Sequence, residues 1–271
     1  MFDLVLVGYR AADTCAAIDF CERAFGRGLV RRRLLVLNRP DIANQVGIPL
    51  NRWEVIEGTN ALGEFSGWQE GLDHLGGSQA GVIFLNDTVT THRRFRMVRR
   101  IAMMSAIWSA PTRAMVGFTD HGAGSFSIEG FCLDHWVSSY CFMLTSDALD
   151  ALQRSLYCRD LVLRVVPGGL REECFFSGLS PNLEYRLRHE MFDGGWYGGE
   201  RLSSTNQDRL QLKARCIVAE MLLSARCDVL GVQQINPFHQ YPLAARIDEF
   251  QQRVRDALSR RLPRLIRARS T

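Results

Sequence analysis

The chain has 271 residues, of which 46% are hydrophobic, 23% charged and 10% aromatic, and its formal charge is +4. That composition excludes collagen-like, disordered and disulfide-stapled chains, and the length is enough for a large core without staples. The charge is uneven: Arg246 to Thr271 holds eight arginines against Asp248, Glu249 and Asp256, a basic tail on a near-neutral body. A uniformly basic nucleic-acid binder is therefore not expected.

Leu4–Gly8 is a short apolar run that predicts a buried strand. Asp13 or Thr14 can cap the next helix, whose apolar face is Ala17, Ile18, Cys21 and Phe25 and which Gly26 and Gly28 stop. Further strands are predicted at Leu34–Leu37, Trp53–Ile56 and Gly81–Leu85, with a helix from Glu64 to Leu75 before the last of them. Strands alternating with helices imply right-handed crossovers and a mainly parallel sheet. Ligands of such sheets bind at the carboxyl ends of the strands. Here those ends are Gly8-Tyr9-Arg10, Asn38-Arg39, Glu57 to Asn60 and Asn86-Asp87.

The remaining chain is less regular. A helix at Met97–Trp108, a strand at Ala114–Phe118 and a Gly/Ser-rich loop at Thr119–Glu129 are expected, then an aromatic strand at Trp136–Leu144. Ser146-Asp147 should cap a helix, Pro181–Thr205 should form a long loop or flap, and Gln207–Arg226 should be helical. The last predicted helix, Leu243–Leu262, is halted by Pro263 and divides the chain into a domain at 1–242 and an extension at 243–271. In it Ile247, Phe250, Val254, Ala257, Leu258 and Leu262 recur at helical spacing among arginines. It can lie on an anionic membrane surface, or dock on the body with its polar side in water.

Of the 33 cations one is a lysine, Lys213; coding bias explains the arginine excess as readily as phosphate recognition does. The eight cysteines show no C-x-x-C spacing and read as reduced, buried small hydrophobes. The apolar N-terminus is short, with Asp3 where a secretory signal carries cations, and no run reaches the ~18 apolar residues of a membrane span. A cytoplasmic protein is expected, with the inner face of the membrane within reach of the tail.

The most informative segment is Asn60-x-x-Gly63-Glu64 with Gly67-x-x-x-Gly71-Leu72, followed by an apolar strand and Asn86-Asp87-Thr88. A helix start with free N–H groups suits a diphosphate, and a carboxylate at the next strand end can hold a divalent cation against it. Small residues packing a helix closely on a sheet explain the glycines equally well. In order and type these elements resemble the nucleotide-sugar half of GT-A-fold glycosyltransferases, closest to bacterial polysaccharide enzymes of the rhamnan synthesis protein F type. His135-Trp136-Val137-Ser138-Ser139-Tyr140-Cys141-Phe142 and Glu220-Met221-Leu222-Leu223-Ser224 resemble two later motifs of that family.

The resemblance implies an α/β, GT-A-like (Rossmann-like) sheet flanked by helices, a nucleotide-sugar donor and a glycan or lipid-linked acceptor. It makes Glu220 the candidate base of an inverting transfer, with Asp134 and Glu129 as rivals and His135 as a lesser candidate that more often orients a substrate. Glu220 can equally be a solvated helix residue. Gly8, Tyr9, Arg10, Arg39, Asn60, Gly63, Glu64, Gly67, Asn86 and Asp87 become the expected donor-binding set, though Glu64 can simply cap its helix. GT-A enzymes hold Mg²⁺ or Mn²⁺ with Asp-x-Asp; this chain offers Asp87 alone, so the diphosphate would supply most ligands or the site works without metal. Arg93 to Arg100 can contact anionic substrate or form a solvated helix face. A non-catalytic nucleotide-binding scaffold, or a Rossmann-like methyltransferase or oxidoreductase, is the alternative, although no G-x-G-x-x-G follows the first strand.

Overall fold

A computed structural model describes residues 1–46, 52–77, 80–91, 97–169, 171–193 and 201–254. The chain begins β1 (Phe2–Gly8), α1 (Ala11–Leu29), β2 (Val30–Leu37), β3 (Glu54–Glu57), α2 (Gly63–Leu75), β4 (Val82–Asn86) and α3 (Met97–Trp108). It continues β5 (Ala114–Ile128), β6 (Phe131–Leu144), α4 (Ser146–Ala151), α5 (Arg159–Val165) and α6 (Pro181–Phe192). Next come α7 (Gln207–Val229), β7 (Gln233–Ile235), α8 (Pro237–Gln240) and a helix, α9, over 242–254.

Among the described residues, seven strands form one sheet in the order β3-β2-β1-β4-β6-β5-β7. β6 is antiparallel to both its neighbours, whereas the β1–β2, β1–β4, β2–β3 and β5–β7 pairs are parallel. The architecture is thus the mainly parallel, helix-flanked α/β sheet that the sequence predicts. Leu4–Val7, Leu34–Leu37 and Val82–Leu85 are buried on both faces, which is why they read as unbroken apolar runs. Leu4, Leu6, Leu35 and Ile83 face α1 and α3, while Val5, Val7, Val36 and Phe84 face α2 and α7.

Several local expectations change. α1 begins before Asp13 and Thr14, and neither caps it; Arg10 is the N-cap residue and makes no side-chain cap bond. Thr145, not Ser146, caps α4, accepting the Ala148 N–H. The supposed Thr119–Glu129 loop is the far half of β5, paired with β6 as a long hairpin. Glu129 and Gly130 turn it with φ of 48° and 84°, the left-handed geometry of a tight hairpin.

Pro181–Phe192 is a helix rather than a flap. Pro181 opens it, Leu183, Leu187 and Met191 form its buried stripe, and Arg186–Glu190 and Arg188–Glu184 pair one turn apart. Gly194 to Gly199 lie outside the described residues, as do the arginines from Arg93 to Arg96 and everything beyond Val254.

The glycines of α2 set how closely that helix meets the sheet. Gly63, Gly67 and Gly71 recur every four residues on its inner face. A Cβ at Gly71 would stand 2.5 Å from Val5 Cγ1, and one at Gly67 would stand 2.8 Å from Asn38 Oδ1 and 2.9 Å from Val7 Cγ2. At Gly63, which has φ +54°, a Cβ would overlap Cys216 Sγ on α7. Of the two readings of this segment, close packing accounts for all three positions.

Candidate active site at the carboxyl ends of the strands

The ends of β1 and β4 meet through one carboxylate. Asp87 is 2% exposed, and its Oδ2 accepts the N–H groups of Tyr9 (2.7 Å) and Arg10 (3.0 Å) and the Thr14 hydroxyl (3.4 Å). An anion there also sits favourably at the start of α1. Burial nevertheless raises the Asp87 carboxyl above its ordinary range, against the pull of those hydrogen bonds. Next to it, Asn86 Oδ1 accepts the Thr88 N–H (3.2 Å) and hydroxyl (2.6 Å), fixing the turn after β4.

Beyond these strand ends lies a cavity of about 430 Å³, closed on the other side by β5, β6 and α7. α7 lays a single stripe along it: Arg209, Lys213, Cys216, Ile217 and Glu220, spaced at helical turns. Glu220 Oε2 accepts the Ser139 hydroxyl at 2.7 Å. Burial pushes the Glu220 carboxyl up to about 8; the Ser139 hydrogen bond opposes this, and the charges of Asp120 and Glu64 add to it. Asp120, on β5, is bonded by the Ser138 hydroxyl. Seven residues of helical rise put about 10 Å between the Lys213 and Glu220 backbones. One rigid helix thereby presents a proton acceptor at one point and two cations further along.

Six residues expected from sequence come together here: Tyr9, Arg10, Glu64, Asn86, Asp87 and Glu220 all line the cavity. Tyr9 is held by Asn38, whose Nδ2 donates to its hydroxyl and to the Gly63 carbonyl, both at 2.8 Å. The others stand elsewhere. Gly8 lies behind the lining, where a Cβ would come within 2.6 Å of Thr14 Oγ1. Gly63 and Gly67 are packing positions, and Asn60, with φ 54°, accepts from the Asn38 amide at 3.5 Å and does not line the cavity. Arg39 is exposed and pairs with Asp41, two residues on.

Asp134 and His135 pair with each other nearer the hairpin end of β6, away from the cavity. The His135 hydrogen bond holds the Asp134 carboxyl below its ordinary range, so it stays ionised. Both precede the predicted strand and fall within the longer β6, which faces the cavity at Ser138–Tyr140. Glu129 bonds into the loop at Gly178 and pairs with Arg164, and it does not line the cavity.

Sequence reasoning did not select Thr88, Asp120, Ser138, Ser139, Tyr140, Arg209, Lys213, Cys216 or Ile217 as cavity residues. Stepping back from Glu220 by helical turns would have reached Cys216, Lys213 and Arg209. No pattern in the sequence distinguishes Asp120 from the glycine-rich stretch around it.

The side chains at the ends of β1 and β4 offer few ligands to a divalent cation. Among the described residues no three His, Cys, Asp or Glu side chains are grouped to hold one. Asp87 has one oxygen already accepting three hydrogen bonds, and the Asn86 oxygen accepts two. These residues fit Mg²⁺ or Mn²⁺ only where a bound diphosphate supplies most of the ligands.

No protein-family model matches the chain, and no curated protein does. Solved structures share a distant likeness, among them the following three. One is 4-diphosphocytidyl-2C-methyl-D-erythritol synthase from Anaerococcus prevotii, at 11% identity over 57% of this chain and 77% of that one, with a TM-score of 0.39. Another is CMP:2-keto-3-deoxy-manno-octonic acid synthetase complexed with CTP, at 9% identity over 69% and 85%, TM-score 0.36. The third is the mannosyltransferase PcManGT from Pyrobaculum calidifontis with GDP-Man and Mn²⁺, at 8% identity over 90% and 79%, TM-score 0.36. Likeness at this level carries no argument about substrate or mechanism, and the fold rests on the strand order of the sheet itself.

Proposed function

We propose that the chain is a glycosyltransferase that moves a sugar from a nucleotide-diphosphate sugar to a hydroxyl of a glycan or lipid-linked acceptor, with inversion. The setting would be cell-surface polysaccharide assembly at the cytoplasmic face of the membrane. The observation that carries the reading is Glu220: a carboxyl raised to about 8, bonded to Ser139 and aimed into a cavity along which the same helix also presents Arg209 and Lys213.

Chemically, Glu220 takes the proton of the acceptor hydroxyl as that oxygen bonds to the sugar's anomeric carbon. The bond from that carbon to the diphosphate breaks, and its electron pair leaves with the phosphate oxygen. A base whose pKa lies near the working pH is matched to this transfer. Lys213 and Arg209 neutralise the charge that grows on the leaving diphosphate, within a cavity that shields them only partly from water. Where Mg²⁺ or Mn²⁺ takes part, Asp87 is the side chain that would hold it, and the ion would supply further neutralisation of the diphosphate. Asp134 and His135 have no part in the step.

The test is turnover against a panel of nucleotide sugars with glycan and lipid-linked acceptors, with and without chelator. Transfer or hydrolysis of one donor, lost in Glu220→Gln, is the expected result. A protein that binds nucleoside diphosphate yet turns over no donor would be the non-catalytic scaffold instead.

A further inference from the structure

α3 and α9 lie side by side on the sheet face opposite α2 and α7, and whereas α3 buries an apolar stripe, the docking of α9 is inverted relative to an ordinary amphipathic helix. α9 is fastened by a polar group: Asp248, 7% exposed, accepts Arg99 Nε (3.0 Å) and Nη2 (2.7 Å) through one oxygen. The Arg99 guanidinium also stands over the rings of Phe118 and Phe238, at 5.2 and 5.3 Å, so it is anchored in the body. The apolar residues of α9 point outward. Leu243, Ile247, Phe250 and Val254 recur at helical spacing and are exposed, Leu243 by 71% and Phe250 by 67%. α3 adds Met97 and Ile101, also exposed, and between the two helices runs an open apolar groove of about 450 Å³.

An apolar face this continuous has a partner, and its charge says which kind. α3 carries Arg99 and Arg100 and no acid. α9 carries Arg246 and Arg253 against Asp248 and Glu249, with Asp248 held by Arg99. Past residue 254 the sequence continues with six arginines and one aspartate. A second copy of the chain would set these cations against their own kind, which opposes self-association. A bilayer of anionic lipid meets both needs at once, apolar burial and countercharge.

We propose that the α3–α9 face is a docking surface for an anionic lipid bilayer, with Leu243, Ile247, Phe250 and Val254 of α9 and Met97 and Ile101 of α3 entering its interface. Arg99 also donates to the Tyr140 hydroxyl at 3.2 Å, and Tyr140 lines the cavity. Docking therefore brings the cavity close to the lipid surface, which, on the glycosyltransferase reading, is where a lipid-linked acceptor is found. The docking itself does not depend on that reading.

The experiment is co-sedimentation of the full chain with vesicles of phosphatidylcholine alone or with about one third phosphatidylglycerol, alongside its mass in solution. Expected are a monomer, binding to the anionic vesicles at least about 10-fold stronger than to the neutral ones, and a loss of about 10-fold or more in Ile247→Asp/Phe250→Asp. Leu243→Asp, at another exposed position, should weaken binding in the same direction. Unchanged thermal unfolding of these variants separates lost docking from lost folding. The proposal is overturned if the wild-type chain ignores anionic vesicles. It is also overturned if the double variant binds as well as wild type, which would leave the work to the arginine tail, or if the double variant turns a dimer into a monomer. Nucleotide-sugar turnover is scored separately, so an inactive protein that docks refutes only the proposed reaction.

Discussion

The two halves of the sheet divide the labour unevenly. The parallel half, β1 to β4 with α2, contains the most recognisable segment of the sequence, and most of that segment is packing: Gly63, Gly67 and Gly71 exist so that α2 can touch Val5, Val7 and α7. The half built around β5, β6 and α7 has weaker sequence signals, yet it supplies Glu220, Asp120, Ser139, Arg209 and Lys213 to the cavity. A memorable motif can mark a close helix approach, while a stripe on another helix, of which the sequence pointed to Glu220 alone, lines the cavity.

The sharpest way to break this division is Glu220→Gln. It should lower kcat by about 10²–10⁴-fold while the protein stays folded, as single-turnover assays on purified variant would show. A change below 10-fold would move the chemistry back to the parallel half. Next comes Gly71→Val, which places a branched side chain where a single Cβ already comes within 2.5 Å of Val5. A loss of about 1–3 kcal/mol in urea unfolding is expected, with turnover per folded molecule kept. Loss of turnover at full stability would show that the stripe does more than pack.

The pH dependence sharpens the comparison further. Glu220 holds its proton in the folded chain up to about 8, whereas the unfolded chain releases it near 4.5. Between those values the folded state binds more protons, so this group's contribution to stability falls as pH rises and is fully present only below the unfolded value. Glu220→Gln removes that dependence, and its melting temperature relative to wild type should climb from pH 5 to pH 8. On the proposed reaction, wild-type kcat/KM should rise with pH through the same upper value. The smallest effects belong to Asp134→Asn and His135→Ala, each expected within about 2-fold of wild-type turnover and 0.5 kcal/mol of its stability.

Much of the fold was legible because the central strands are buried on both faces. Leu4–Val7, Leu34–Leu37 and Val82–Leu85 are unbroken apolar runs between helices, and such runs have few other homes. The far half of β5 was not, since residues 119–128 mix Gly, Ser, Asp and His, a composition that reads as loop until the hairpin partner is known. α6 hid behind its charges, with Glu184, Arg186, Arg188 and Glu190 forming ion pairs along its half-buried flanks.

At the site the division is the same. Tyr9 and Asp87 could be found from the rule that parallel strands present their carboxyl ends to ligands. Asp134 and His135 also stood as candidates beside the aromatic strand, because adjacency in sequence does not say which stretch of a 14-residue strand borders a cavity. The α7 cations needed only the helical period, counted backward from a residue already chosen.

Lys213 is the single lysine among 271 residues, and its side chain lines the cavity. Amine-directed reagents therefore meet one side chain in the whole protein, located where an anionic ligand would sit. Protection of that side-chain amine, told apart by peptide mass from the α-amine of Met1, is a direct gauge of occupancy on the unmutated chain before any substrate is known.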